Sequence, residues 1–343
     1  MRATIREVAK VAGVSIATVS KVFNGYSDVN HETKERILEV AKQLDYAPNM
    51  AARTLSSKKQ QTIALILNEL NFNRKSTMPL EVLDGVHEFT EQSDYEFVFY
   101  GTSTEKQKDK TFRQFCYEHN ISGVVIQGLK MTDPYYQEIR ETNLPTVLID
   151  IVVDNPKVGT VAIDNEAAAY EAVDYLIRNN HHKIGMINGS RNANVSIFRE
   201  AGYRKALERH HIVVNEEYIQ YANYEEDIAY FITKNLLNNH SDITALFCAS
   251  DIMAIGAMRA IKDMGKNVPG DISIIGFDDI VLASYVTPTL TSVAQDMQKI
   301  GYEAAALLTD IINKEMKDTE NFRIIPHEIK YRESVKEGIK NAD

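Results

Sequence analysis

From Thr62 to Phe277 the chain repeats one pattern: a short run rich in Val, Ile and Leu, then a longer amphipathic segment, then another run. The runs read as strands at Thr62–Leu67, Glu96–Tyr100, Gly123–Gln127, Thr146–Asp150, Lys183–Asn188, Ala245–Ala249 and Ser273–Phe277. Helices are expected near Leu80–Gln92, Thr104–Asn120, Glu166–Asn179, Ile197–His210, Glu225–Asn238 and Ile252–Met264. Strands that are apolar throughout are buried on both faces, and helices between them make neighbouring strands parallel. Roughly 280 residues of this pattern exceed what one hydrophobic core holds. The reading is therefore an α/β core of two doubly wound parallel-sheet lobes, spanning 61–343 with a break near Ile163. Thr289–Val293 and Ile325–Tyr331 are expected to cross back between the lobes. That assigns 61–162 and 290–322 to the N-lobe, and 163–289 and 323–338 to the C-lobe.

Residues 1–46 follow a different rule and predict a small all-α unit. Thr4 and Glu7 have the spacing of a capping box. Ile5, Val8, Ala9 and Ala12 form one apolar stripe. Gly13 supplies the left-handed backbone that ends a helix, and Ser15 caps the next. Val19, Val22 and Phe23 then face inward, which leaves Ile16, Ala17, Thr18, Ser20 and Lys21 outward. A third helix near His31–Leu44 closes the core with Ile37, Val40, Ala41 and Leu44. This is a helix-turn-helix, whose second helix lies in the DNA major groove. Small and polar outward side chains suit close approach to base edges. A hairpin used only for packing is the alternative, and outward Ile and Ala are wasteful on a solvated face.

The charge distribution agrees with that division. The whole chain carries −10, but residues 1–60 hold 10 Lys+Arg against 6 Asp+Glu. Attraction for phosphate is thus confined to one end. Cys116 and Cys248 have neither pairing nor metal spacing, which points to a reducing cytoplasm. No apolar stretch approaches a membrane span. Between head and core, 47–60 reads as a hinge helix and linker. Pro48 favours a helix start, and Asn49–Ser56 offers about two turns, which are marginal in water unless something buries their apolar side.

Polar residues stand just past the predicted strands: Asn68 and Glu69, Gln127, Asp150, Asn188-Gly189-Ser190, Ser250-Asp251 and Asp278-Asp279. In open α/β sheets ligands bind at these strand ends, so two facing lobes predict a cleft lined with hydrogen-bonding groups. Each residue taken singly is equally a turn former or helix cap. The chain has no G-x-G-x-x-G, P-loop or nucleophile elbow. His181-His182 and His210-His211 are adjacent pairs at expected helix ends, a poor arrangement for a shared metal. Catalytic residues, a cofactor and a metal site are not expected.

Five blocks together resemble the lactose- and galactose-repressor (LacI/GalR) family of bacterial transcription regulators. They are Thr4–Asn24, Tyr46-Ala47-Pro48-Asn49-Met50-Ala51-Ala52-Arg53-Thr54-Leu55, Arg199-Glu200-Ala201-Gly202-Tyr203, Ser250-Asp251 with Ala254-Ile255-Gly256, and Ile275-Gly276-Phe277-Asp278-Asp279. The resemblance implies an operator-binding head, a hinge helix and a periplasmic-binding-protein-like core. It also implies a homodimer on a near-palindromic operator, controlled by a small-molecule effector, most simply a carbohydrate. Ile16, Ala17 and Lys21 would then read bases. Thr4, Ser15, Ser20, Asn24, Tyr46 and Asn49 would contact phosphates or support those that do, Thr18 and Arg53 would belong to the same DNA-binding face, and Leu55 would wedge into the minor groove. In the core, Asp150, Arg199 and Asp278 match effector-binding positions, Ser250 stands where some members carry Asn, and Gln127 and Met297 are further candidates. The chain has no Trp, so stacking under a ligand falls to Phe or Tyr, with Phe72 and Tyr224 as candidates. Two alternatives lie within the family: a global carbon-catabolite regulator answering to a phosphorylated carrier protein, or a repressor responsive to a purine or another metabolite.

Overall fold

The computed structural model describes residues 3–23, 26, 28–46, 61–69, 78–313 and 321–336. Residues 1–61 and 62–343 form two compact units. In the first, α1 (Ile5–Ala12) opens with the expected capping box and ends at Gly13 with φ of 67°. The helix α2 (Ile16–Phe23) follows, then α3 (His31–Gln43), capped by the Asn30 side chain, which accepts from the Thr33 N–H at 2.8 Å. Val8, Ala9, Ala12, Val19, Val22, Ile37, Val40 and Ala41 make the core of this unit.

The second unit contains two six-stranded sheets. The N-lobe sheet uses β1 (Thr62–Asn68), β2 (Glu96–Thr102), β3 (Ile121–Gln127), β4 (Thr146–Ile149), β5 (Val158–Ala162) and β11 (Phe322–Ile324), in the order β11-β5-β4-β3-β1-β2. All of its pairings are parallel. The C-lobe sheet uses β6 (Ile184–Asn188), β7 (Ile219–Tyr221), β8 (Ala245–Cys248), β9 (Ser273–Asp278), β10 (Thr291–Gln295) and β12 (His327–Lys330), in the order β12-β10-β9-β8-β6-β7. Only β12 runs antiparallel there. Two-faced burial is visible along β1. Ile63, Leu65 and Leu67 join one apolar cluster, while Ala64 and Ile66 join another with Phe112 and Tyr135.

Helices cover these sheets: α4 (Met78–Glu91), α5 (Thr104–Asp109), α6 (Phe112–Glu118) and α7 (Pro134–Ile139) in the N-lobe, and α8 (Asn165–Arg178), α9 (Asn194–Arg209), α10 (Glu226–Asn239) and α11 (Asp251–Asp263) in the C-lobe. The last helix, α12 (Met297–Asn313), packs on α4 and beneath β3, β4 and β5. Its crossing with α4 is tight enough to need glycine on both sides. A Cβ on Gly85 would lie 1.8 Å from the Gln298 carbonyl, and one on Gly301 would lie 2.2 Å from that of Val82.

The expected lobe boundaries need correction at the C-terminal end. The stretch 291–295 is not N-lobe: β10 lies between β9 and β12, and buried Ser292 donates to the Asp251 carboxylate at 2.6 Å. Residues 323 and 324 are not C-lobe, because β11 pairs with β5. The chain therefore changes lobe near 163, 296 and 325, and α12 with β11 forms the returning N-lobe segment. The single helix expected at Thr104–Asn120 is two, broken where Lys110 is extended and Thr111 begins its own capping box with Gln114.

Candidate functional site

On the helix-turn-helix unit, the residues expected to face outward do so. Ile16 is 46% exposed, Ala17 and Lys21 are exposed, and Thr18 and Ser20 are half-buried. Val19 and Val22, on the opposite side of α2, are buried. Ser15 fixes the start of α2: its hydroxyl accepts from the Thr18 N–H at 3.1 Å and lies 2.8 Å from the Thr18 hydroxyl. At α1, the Glu7 carboxylate accepts from both the Thr4 N–H at 2.7 Å and the Thr4 hydroxyl at 2.9 Å. Those bonds hold the Glu7 carboxyl below its ordinary pKa. Tyr46 is half-buried edge-on to Phe23, with ring centroids 5.6 Å apart, and burial raises its phenol. Lys21 is ion-paired with Asp28, a residue that the sequence reading did not single out. Asn24, Asn49, Arg53, Leu55 and the rest of the 47–60 hinge lie outside the described residues, as does Phe72.

In the core, a cavity of about 530 Å³ opens between the lobes. Its N-lobe wall includes Asn68, Gln127 and Asp150, at the ends of β1, β3 and β4. Its C-lobe wall includes Ser190, Asn194 and Tyr224. Parallel strands bring these residues together because all their carboxyl ends point the same way. The Gln127 side-chain carbonyl is buried and has no hydrogen-bond partner. Tyr224 sits over Gly189, where a Cβ would lie 2.0 Å from the ring. Its hydroxyl is 2.8 Å from that of Ser196, and burial raises its pKa.

Behind the Asp150 wall runs a chain of buried polar groups. Asn165 donates to the Asp150 carboxylate at 3.3 Å and accepts from Arg199 Nε at 2.9 Å. Arg199 is 3% exposed, donates to the Ala249 carbonyl at 2.6 Å and lies 3.6 Å above the Phe277 ring. One of its terminal nitrogens is 3.6 Å from the Asp278 carboxylate, which also accepts from Gln295 at 2.8 Å. Burial pushes Asp278 up to about 6 against the opposing pull of Arg199. Burial also raises Asp150, again opposed by Arg199. Arg199 and Asp278 stand behind the lining, and both act electrostatically on the lining phenol of Tyr224.

Two expected positions do other work. Ser250 is buried as the N-cap of α11, accepting from the Met253 N–H at 3.4 Å, and does not line the cavity. Asn68 lines the cavity, but its amide is used internally, donating to Asp133 at 2.9 Å and accepting from Gln107 at 2.8 Å. Met297 is buried at the start of α12 and is not among the lining residues. Asn165, Asn194 and Gln295 were missed. Asn194 donates to the Asp150 carbonyl at 2.8 Å and so joins the two lobes. Its only signal in the sequence is a polar residue at a helix start.

A helical DNA-reading unit joined in one chain to a two-lobed core with a polar interlobe cavity defines a ligand-responsive DNA-binding regulator. Comparisons with known proteins agree. Residues 4–49 match the bacterial regulatory proteins of the lacI family, and 173–335 match the periplasmic binding protein-like domain. The chain is 32% identical over 337 residues to catabolite control protein A of Priestia megaterium, covering 98% of this chain and 100% of that relative. A Lac repressor dimer bound to operator and the anti-inducer ONPF is similar with a TM-score of 0.86 at 26% identity, covering 97% of this chain and 99% of that one. The transcriptional regulator CelR in complex with cellobiose is similar with a TM-score of 0.74 at 29% identity, covering 97% and 100%. The chain belongs to the lacI family of bacterial regulatory proteins. It is a DNA-binding transcriptional repressor of that family. Proteins of this family bind operator DNA and small-molecule effectors. Among the described residues no helix is long and apolar enough to cross a membrane.

Proposed function

We propose that this repressor binds a near-palindromic operator as a homodimer and is controlled by a carbohydrate held in the interlobe cavity. The observation that carries the ligand class is the chain Asp150–Asn165–Arg199–Asp278 beside a cavity with a free buried acceptor on Gln127 and an aromatic face on Tyr224. In this reading the Asp150 carboxylate, backed through Asn165 by the buried Arg199, accepts from neighbouring hydroxyls, and the Tyr224 ring covers the apolar face of a sugar. The cavity size falls in the range that small-molecule sites occupy. The complex of the similar regulator CelR with cellobiose supports the same class. Ile16, Ala17 and Lys21 read bases in this proposal, and Thr4, Ser15, Thr18, Ser20 and Tyr46 serve the phosphate contacts. Asn24, Asn49, Arg53 and Leu55 complete the DNA-facing set.

Control follows from linkage. A ligand shifts the lobe arrangement only by its differential affinity for two states, and a hundredfold preference is worth about 2.7 kcal/mol. Asn194, bonded across the cleft to the Asp150 carbonyl, senses such a change directly. The marginal 47–60 hinge is the element that the change orders or releases.

A thermal-shift screen of neutral sugars, sugar phosphates, purines and the phosphorylated carrier protein tests the reading. Saturation at a hundred times Kd stabilises the folded state by about 2.7 kcal/mol. A neutral sugar is expected to raise the melting temperature and change operator affinity, with Asp150→Asn weakening the sugar about tenfold and leaving operator affinity in place. A response to purines or carrier protein alone overturns it.

A further inference from the structure

The ion pair between Lys21 and Asp28 is the feature of the DNA-facing surface that fold and family leave unexplained. Both side chains are open to water, at 48% and 55% exposure, on the unit where Ile16 and Ala17 also face outward. An exposed pair of this kind adds little to stability. Lys21 holds the Asp28 carboxyl below its ordinary pKa, so the carboxylate is ionised at neutral pH. What the pair offers is a hydrogen-bond donor and an acceptor side by side on an exposed surface.

The order of groups on the base edges decides what such a pair can read: G·C presents acceptor, acceptor, donor across the major groove, and A·T presents acceptor, donor, acceptor. Guanine presents two acceptors, N7 and O6, and its paired cytosine presents the N4 donor. An ammonium bridging N7 and O6 with the carboxylate over N4 fits one orientation of G·C, whereas in A·T the adenine N6 donor lies between the two acceptors and an ammonium spanning them meets it. We propose that Lys21 and Asp28 act as one reader of a single G·C pair in each operator half-site, with Asp28 as a specificity-determining residue. The proposal rests on the reading of α2 as the groove helix. It assigns Asp28 two effects. The carboxylate accepts from cytosine N4–H at the correct site. At every other site it faces backbone phosphate and base acceptors, where like charge opposes binding.

The experiment is selection of full-length wild-type, Asp28→Ala, Asp28→Asn and Lys21→Ala proteins on a randomised operator library, with thermal melts confirming that each is folded. Wild-type protein is expected to prefer one orientation of G·C at one half-site position. Asp28→Ala is expected to relax that preference about tenfold and to raise affinity for non-operator DNA. Asp28→Asn keeps an acceptor oxygen and is expected to relax it less. Lys21→Ala is expected to relax the same position. Unchanged preferences in Asp28→Ala, or relaxation at a position different from that of Lys21→Ala, overturn the paired reader and leave the groove-helix reading standing. No change at any position in Lys21→Ala overturns the groove-helix reading itself.

Discussion

Two polar networks sit at strand ends of the core, and they differ in whether their hydrogen bonds are closed. Near β1, the Asp133 carboxylate accepts from Asn68, Thr104 and the Lys130 N–H at 2.7–2.9 Å, and Gln107 joins Asn68 to the Tyr135 N–H. Every partner there is supplied by the chain. Behind Asp150, two carboxylates share one guanidinium, burial holds both above their ordinary pKa, and Gln127 and Gln295 keep buried carbonyls without partners. A closed network fastens loops. An open one is left to be completed by something else, and its cost to stability is the signature of a binding site.

The largest way to break this contrast is Arg199→Ala. It strands Asp150 and Asp278 without their cation, and loss of one partner of a buried charge cluster costs about 3–5 kcal/mol. Urea unfolding at pH 7.5 is expected to show that loss. At pH 5 the loss is expected to shrink, because the stranded carboxyls take up protons. An equal loss at both pH values would mean that packing against Phe277, rather than charge, is what Arg199 supplies.

Asp278→Asn sharpens the contrast in the opposite direction. The folded chain holds the Asp278 proton up to about pH 6, above the ordinary 3.8, so it binds that proton more tightly than the unfolded chain does. The ionised form therefore lowers stability above pH 6, and the deficit is relieved as pH falls from 6 towards 4. Removing the ionisation is expected to stabilise the core at pH 7.5 by about 2–3 kcal/mol, while the Gln295 bond is kept. Through Arg199 and the Tyr224 phenol, binding of the proposed sugar by wild-type protein is expected to weaken about tenfold between pH 7 and pH 5 as Asp278 is protonated, and the variant is expected to lose that pH dependence. Calorimetry across this range checks both. A variant that melts lower than wild type at pH 7.5 would remove the claim that the open network costs stability.

The sequence made parts of this legible and hid others for physical reasons. Strand-end position alone placed Gln127 and Asp150 in the cavity wall. The same rule misplaced Ser250, because a polar residue standing between a strand and a helix start is used up by capping. Asn165 and Asn194 look like helix starts, and only the closure of two lobes brings both to Asp150. Helix α12 was not predicted from the sequence, although Ile300, Ala304, Leu307, Leu308 and Ile311 are buried at helical spacing, because the strand pattern of the core does not extend to it. The exchange of β10 and β11 between lobes was not readable. Both are short strands at or near a sheet edge; β11 pairs with the distant β5, and nothing in the run of β10 tells that it stays beside β9 rather than crossing over. In the helix-turn-helix unit nearly everything is local, so the capping box, the glycine stop and the three-helix core were all legible.

The smallest effect belongs to the closed network. Asp133→Asn keeps the shape of the side chain, and its amide oxygen can still accept from Asn68 and the Lys130 N–H. Its new amine faces the Thr104 hydroxyl, which can turn from donor to acceptor. Only the strength of charge-assisted bonds is lost, about 1 kcal/mol. Urea unfolding is expected to report that small loss, and sugar affinity is expected to stay within twofold of wild type. The second outcome is the discriminating one. Asn68 lines the cavity while its amide is already engaged, so relaxing its partner should not reach the ligand. If Asp133→Asn weakens sugar binding as strongly as Asp150→Asn, the two networks are one continuous system, and closure of hydrogen bonds does not separate fastening from recognition in this core.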